Sequence, residues 1–239
     1  TFAEQVAALL LDNQQPQTGL FSFGRKLRRK NLHRARMDSR LGSFASQVYP
    51  VMGLSAFATA SGDGDTGARA RACADRLVEL QGPSGQWWWV YHRNSAIPAI
   101  RYPVYTVHQD AMGPMALLAA AMWDDNTDRY DGAILNSLSW FQNRPECPSE
   151  EMVAGQRGVV WRAVQRDQPE STGRLGLGTG ELLRMGRAAW FGWPDTKSLD
   201  AGFVCPECRP YHLGWILLAQ AMYEDCVQGR APTSTPEMP

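Results

Sequence analysis

The sequence predicts an all-α fold, an α/α hairpin array or incomplete toroid with short β-like connectors, on three observations. Apolar residues recur at helical spacing in a series of segments, two kinds of helix alternate along the chain, and one motif returns after the helices of one kind. Residues 2–14, 66–80 and 129–142 each carry a single polar face. Residues 46–60, 107–123 and 209–226 are richer in Ala, Leu, Met and Gly, the composition of helices buried on more than one side. Alternation of half-exposed and buried helices is what stacked hairpins produce when outer helices wrap inner ones.

The repeated motif lies just past the outer helices. Residues 19–25 read GLFSFGR, 85–93 read GQWWWVYHR and 158–166 read GVVWRAVQR, each opening on Gly and closing on Arg. In the first two the outer helix closes on glutamine, giving Gln15-x3-Gly19-x-Phe21 and Gln81-x3-Gly85-x-Trp87. In the third, an insertion separates Gln142 from its glycine. The triple tryptophan cannot face one core, because successive strand residues alternate sides. On that pattern Trp87 and Trp89 belong to the scaffold, and Trp88 is left as a stacking surface.

The inner helices repeat as well. QVYPVMGLSAF (47–57), HQDAMGPMALL (108–118) and RPYHLGWILL (209–218) share Gly53, Gly113 and Gly214, with Pro50, Pro114 and Pro210 nearby. Proline is tolerated in a first helical turn, so these residues mark three helix starts. In a helical toroid such starts gather at one end of a central cavity, their free N–H groups facing whatever binds there.

Gln81-x3-Gly85-x-Trp87 resembles the QW repeat of the terpenoid cyclase and prenyltransferase-like α/α toroids, and residues 15–21 resemble it with Phe for Trp. In that superfamily the Gln and Trp tie one outer helix to the next. YPVYTVHQDAMGPMALLA and CRPYHLGWILLA are also similar to bacterial toroid proteins of surface-polysaccharide loci. The chain departs from both enzyme classes of the superfamily. It lacks the Asp-x-Asp-Asp acid string of squalene-type cyclases and the Asp, Cys and His zinc site of prenyltransferase β subunits. It also has fewer hairpins than a closed toroid, so either the barrel is open, or a second copy or a further chain completes the ring.

Candidate chemistry collects at the inner-helix starts. His108 and Asp110 open one of them and His212 the matching one, and these three are the catalytic candidates. A helix N-terminus favours neutral imidazole, which suits His108 as a base, with Asp110 orienting it. The plainer alternative makes Asp110 an N-cap and packs His108 against the first turn. Tyr49, Trp88, Tyr105, Gln109, Arg209 and Tyr211 are the substrate-binding candidates, a set of rings, an amide and a cation suited to sugar or uronate. Cys205, Cys208 and His212 have C-x2-C-x3-H spacing, but zinc at such a site needs a fourth ligand that no second Cys pair supplies. No other cofactor is indicated.

Three further strings read as ordinary connections. DDNTD (124–128) matches a magnesium-diphosphate motif but falls in the turn after an inner helix. SGDGDTG (61–67) reads as a turn between helices. LGLGTG (175–180) has glycine spacing without a preceding strand.

Composition bounds the rest. Formal net charge is zero, yet eight of the 24 Lys and Arg fall between Arg25 and Arg40, a basic run suited to an anionic partner. The remainder is net acidic and contains no nucleic-acid reading module. The longest apolar run, Ala111–Trp123, is too short to span a membrane. Five cysteines, an odd number, point to reduced thiols in a cytoplasm. Residues 1–228 read as one domain, and 229–239, rich in Pro, as a disordered tail.

The first functional expectation is a carbohydrate-active or carbohydrate-binding protein of bacterial polysaccharide metabolism, acting on an anionic glycan or small molecule. The second is an isoprenoid cyclase or prenyl-transfer enzyme, and the third a noncatalytic partner-binding module.

Overall fold

The computed structural model describes residues 1–24, 37–166, 179–196, 199 and 201–229. Most of the basic run (25–36), most of the 175–180 glycine string and the tail from 230 onward lie outside the described residues.

The longer α-helices among the described residues are, in chain order, α1 Phe2–Asp12, α2 Phe44–Ser61, α3 Gly64–Glu79, α4 Gly113–Trp123, α5 Asp131–Asn143, α6 Thr179–Phe191 and α7 Pro210–Gly229. Their ends have local causes. Thr1 and Glu4 form a capping box on α1. Ser43 caps α2 by accepting from the Ser46 N–H at 3.1 Å. Gly62 ends α2 in a left-handed conformation, and Asp63 then caps α3 through the Thr66 N–H at 3.1 Å. That hydrogen bonding, and the one from the Thr66 hydroxyl, holds the Asp63 carboxyl below its ordinary range.

The chain is not all-α. Eight short strands among the described residues form three antiparallel sheets. β1 (Leu41–Ser43), β2 (Val90–His92) and β3 (Ile97–Ile100) make one sheet in that order. β4 (Val104–Tyr105), β7 (Ala163–Gln165) and β8 (Phe203–Cys205) make the second, with β7 central. β5 (Val153–Ala154) and β6 (Val159–Val160) form a small hairpin. The all-α expectation fails because the extended segments pair with partners far away in sequence. Leu41 faces His92 and Ala163 faces Cys205, and no periodicity within one window detects such pairing. Helix α6, which carries no inner- or outer-helix signature, covers β3.

The core lies between α2, α3, α4, α5 and α7. Val48, Val51, Leu54, Leu77, Met115 and Leu117 fill it. A second, smaller cluster joins Leu41, Val90 and Ile100 to Ala188 and Ala189 of α6.

Two glutamine hooks tie successive outer helices together. Gln81 Nε2 donates to the Gly85 carbonyl at 3.3 Å and to the Ala133 carbonyl of α5 at 3.0 Å. One hairpin earlier the same task falls to Gln14. Its Nε2 donates to Gly19 O and to Arg69 O of α3, both at 2.8 Å. The glycines are obligatory. Gly19 and Gly85 have φ of 74° and 88°, and a Cβ on Gly85 would stand 1.9 Å from the Asn136 carbonyl oxygen.

Each hook delivers an aromatic residue to an inner helix. The Phe21 N–H donates to Gln47 Oε1 at 2.8 Å, and Gln47 Nε2 returns a bond to Phe21 O at 2.9 Å. The Trp87 N–H donates to Gln109 Oε1 at 3.2 Å. Both glutamines are fully buried. The third motif breaks the pattern, because a Cβ on Gly158 would meet nothing within 4 Å.

The prolines behave less uniformly than helix starts should. Pro210 begins α7 and Pro114 lies in the first turn of α4, but Pro50 is inside α2. Before Pro114 the chain widens into a π-helical turn, His108–Met112, closed by the Gly113 N–H on the His108 carbonyl. Proline has no N–H to give Asp110 O, so the preceding residue makes the longer-range bond. Gly113 also makes room for the Trp87 indole, whose Nε1 would lie 2.5 Å from a Cβ there.

Replacing Gln47 with Leu strands the Phe21 N–H and carbonyl in the core. Gln47→Leu is expected to lower the urea-unfolding free energy by about 2–4 kcal/mol. Gln220→Leu, on the exposed side of α7, is expected to change it by less than about 0.5 kcal/mol.

Candidate functional site

The extended segments and the inner-helix starts meet at a cavity of about 440 Å³. Its walls come from five places in the chain. Helix α2 contributes its cap Ser43, with Ala45 and Tyr49, and the segment before β2 contributes Trp89. Strand β4 and the π-turn contribute Tyr105, Val107, His108 and Met112, the segment before β7 contributes Arg162, and α7 contributes Tyr211 and Trp215. The lining is chiefly aromatic, with one imidazole and one guanidinium as its strong polar groups.

His108 is 7% exposed and lies against the rings of Phe44 and Tyr105, at centroid distances of 4.6 and 5.0 Å. Its Nδ1 is buried without a hydrogen-bond partner. Burial, aided by nearby His212, pushes its pKa down to about 3, so the ring is neutral at physiological pH. A base this weak is poorly matched to proton abstraction near pH 7, but a neutral ring nitrogen is a good hydrogen-bond partner.

Asp110 and His212 face each other, with His212 Nε2 at 2.8 and 3.0 Å from the two carboxylate oxygens. His212 is 3% exposed. Burial raises the Asp110 pKa, while the His212 hydrogen bond works against that rise. Neither residue lines the cavity. They clamp the π-turn to the first turn of α7 and so fix the wall that carries Tyr211 and Trp215.

Arg162 is held by backbone and side chain together. The Thr106 N–H bonds its carbonyl at 3.0 Å. Its guanidinium stacks over Tyr105 at 5.4 Å and pairs with Glu207 at 2.6 Å. Glu207 in turn accepts from Arg209 Nε at 2.5 Å. Two guanidiniums share one carboxylate, so the rim of the cavity is net positive. The hydrogen bond from Arg209 is the main reason Glu207 titrates below its ordinary range.

The sequence-predicted site residues therefore divide. Tyr49, Tyr105, His108 and Tyr211 meet at the cavity, and Arg209 reaches it indirectly, over the Tyr211 ring at 5.9 Å. Gln109 does not reach it. Its amide joins the Trp87 N–H and the Tyr105 carbonyl, which makes it a scaffold residue.

Trp88 is not available for stacking. It is 4% exposed, edge-on to Tyr102 and covered by the Arg101 guanidinium at 4.8 Å. The tryptophan on the cavity is Trp89. Strand alternation misassigned the pair because β2 begins only at Val90, and its register shifts between Val90 and Tyr91.

Sequence reasoning missed Trp89, Arg162 and Trp215 as site residues. Trp215 was detectable, since it follows Tyr211 by one helical turn. Nothing local distinguishes Arg162.

Cys205, Cys208 and His212 do not assemble as a metal site. Among the described residues no group of three or more His, Cys, Asp or Glu is placed to hold an ion, and His212 Nε2 is taken by Asp110. All five cysteines are free thiols. The aspartates at 124–128 belong elsewhere. Asp124 pairs with Arg71 at 2.5 Å and with Arg129 at 3.8 Å, at the far end of α4 from His108 and about 20 Å away along the helix. Among the described residues no helix is long and apolar enough to cross a membrane.

His108 makes the fold acid-sensitive. The unfolded chain takes a proton near pH 6.5 and the folded one only near 3, so stability present above pH 6.5 is lost as pH falls toward 3. Buried His92 acts in the same sense and raised Asp110 in the opposite one. The difference between wild type and His108→Gln isolates His108. Wild type should lose about 3 kcal/mol more than the variant between pH 7 and 4.5, measured by urea unfolding at each pH.

Compared with family models, curated proteins and solved structures, the chain matches none, and the functional reading rests on the geometry of the cavity.

Proposed function

We propose that the cavity binds an anionic carbohydrate, with Arg162 receiving the carboxylate of a uronate-type sugar. One observation carries this reading. A guanidinium and a neutral imidazole stand inside a ring of five large aromatic side chains, Tyr49, Trp89, Tyr105, Tyr211 and Trp215. The negative face of an aromatic ring attracts the polarised C–H bonds on a pyranose face. A planar guanidinium grips a carboxylate with two parallel hydrogen bonds. Arg162 Nη1 already serves Glu207, but its Nε is buried without a partner. His108 Nδ1 is likewise buried and unpartnered, and a sugar hydroxyl that reached it would satisfy it as donor or acceptor according to tautomer. The volume suits one or two sugar rings, in the usual range for small-ligand sites.

Binding is favoured over catalysis in this reading. Both glycosidic and eliminative chemistry use an acid or base whose proton affinity suits the working pH, and His108 lies well below that range. The acidic residue nearest in sequence to His108, Asp110, is committed to His212 instead of the cavity.

Titration calorimetry tests the proposal with a uronate oligosaccharide, its neutral counterpart and a polyprenyl diphosphate. The uronate should bind most tightly. Arg162→Gln should weaken it at least about tenfold while leaving the weaker neutral sugar unchanged. Trp215→Ala should weaken both. Preference for the polyprenyl diphosphate, or indifference to Arg162, would defeat the proposal.

A further inference from the structure

Helix α6 is amphipathic in the wrong direction for an ordinary surface helix. Its sheet side is small and buried: Ala188 and Ala189 pack with Leu41, Val90, Ala99 and Ile100. At 100° per residue, Leu183, Arg187 and Trp190 fall on the opposite side with Phe191 beside them. Leu183 is 70% exposed, Phe191 67% and Trp190 39%.

Beyond Gly192, which turns the chain at φ 64°, Trp193 is 53% exposed and lies against Phe191 at 5.4 Å. A solvated face at these positions is normally polar, and a contiguous apolar patch of this kind marks an interaction surface.

The patch is also basic. The Arg187 guanidinium lies 4.8 Å over the Trp193 ring. Beside it is a recess of about 340 Å³ lined by Arg184, Arg187, Trp193, Pro194, Asp195 and Thr196, with Ala99 behind them. The Asp195 carboxylate is turned to Arg166 at 2.7 Å and to the Arg101 N–H at 3.2 Å, not to Arg187. The described end of the basic run is anchored to the same helix, with Arg40 donating to the Ala189 carbonyl at 2.9 Å.

Exposed Trp, Phe and Leu next to arginine is the composition of a face that lies in the headgroup zone of a bilayer. A soluble polyanion would use the arginines but gives no role to Leu183 or Phe191. Because the chain as a whole has no net charge, attraction to an anionic surface has to come from such a local patch.

We propose that the outer face of α6 and the turn after it dock on membranes carrying anionic phospholipid. Leu183, Trp190, Phe191 and Trp193 enter the interfacial layer, and Arg187 meets a headgroup phosphate at the recess. This proposal is independent of the sugar-binding reading of the other cavity.

Sedimentation with vesicles tests it, using the full chain and comparing pure phosphatidylcholine with phosphatidylcholine containing about one-third phosphatidylglycerol. The protein should sediment with the anionic vesicles, remain free of the neutral ones, and be released at about 0.5 M salt. Phe191→Ser with Trp193→Ser, and separately Arg187→Glu, should each reduce vesicle binding about tenfold or more. Arg187→Lys should keep most of it. All of these side chains are at the surface, so thermal melting of the variants should match wild type. Should a variant melt early, a blue shift of wild-type tryptophan emission on adding anionic but not neutral vesicles gives the same answer. The proposal is overturned by equal binding to both vesicles, by no binding to either, by full binding in the double variant, or by capture on a soluble polyuronate alone.

Discussion

Two buried side-chain amides hold this fold in register. Gln47 and Gln109 sit near the starts of the first two inner helical segments, each fully enclosed, and each receives the backbone N–H of an aromatic residue from the chain that follows an outer helix. That chain is extended and buried, so its polar groups have neither water nor a regular ladder to satisfy them. A glutamine amide offers a donor and an acceptor on one rigid plane and can replace a strand partner on both counts. The outer glutamines Gln14 and Gln81 complete the arrangement by binding carbonyls of the next outer helix. Each helical pair is thereby fastened to its successor by hydrogen bonds that no apolar residue can replace, and the close glycine contacts on α3 and α5 fix the spacing.

The cavity follows from this fastening. Gln109 bonds the Tyr105 carbonyl and takes the Trp87 N–H, so the residues between β4 and α4 are held from both ends. The Trp87 ring stacks on Phe44 at 5.6 Å, and Phe44 backs the imidazole of His108. Trp89 is carried on the same segment, and its carbonyl accepts the Phe44 N–H at 2.9 Å. On the other side the Asp110–His212 clamp joins the π-turn to α7. Scaffold and site therefore share one set of residues. Polar groups next in sequence to the lining residues stabilise the walls, and within the lining Ser43 caps α2 while Arg162 pairs with Glu207.

Much of this was legible because helical periodicity is a local property. The six patterned segments coincide with α1, α3 and α5 as outer helices and with α2 and α4 as inner ones, to within a few residues at most ends, but α7, expected as a third inner helix, is mostly exposed, with Leu217 at 72% and Leu218 at 46%. The convergence of Tyr49, Tyr105, His108 and Tyr211 was legible too, from their shared position at helix starts. The sheets were not, since Leu41 with His92 and Val164 with Val204 are pairings between distant segments. Helix α6 was missed because its sheet side is alanine and its outer side apolar, which inverts the usual signal. The phase of the first hook was misread by one residue, Gln14 in place of Gln15. Two adjacent glutamines look alike in sequence, and only Gln14 is turned toward α3. Trp88 and Trp89 exchanged roles for a related reason, because the extended segment there is held by hooks and a shifted register instead of a flat strand.

The state of His108 separates binding from chemistry. Its burial among Phe44 and Tyr105 lowers its proton affinity far below that of a base suited to neutral pH, and the Asp110 carboxylate is spent on His212. A carboxylate ligand on Arg162 would change the field at the imidazole. A negative charge brought beside the buried imidazole favours the protonated ring and moves its pKa upward. A pocket that holds its histidine neutral would couple the charge of a ligand to the proton on the ring. Were an anionic ligand bound on Arg162, such coupling would add to the hold of the guanidinium, because the ligand's charge would face a second cation once His108 had taken its proton.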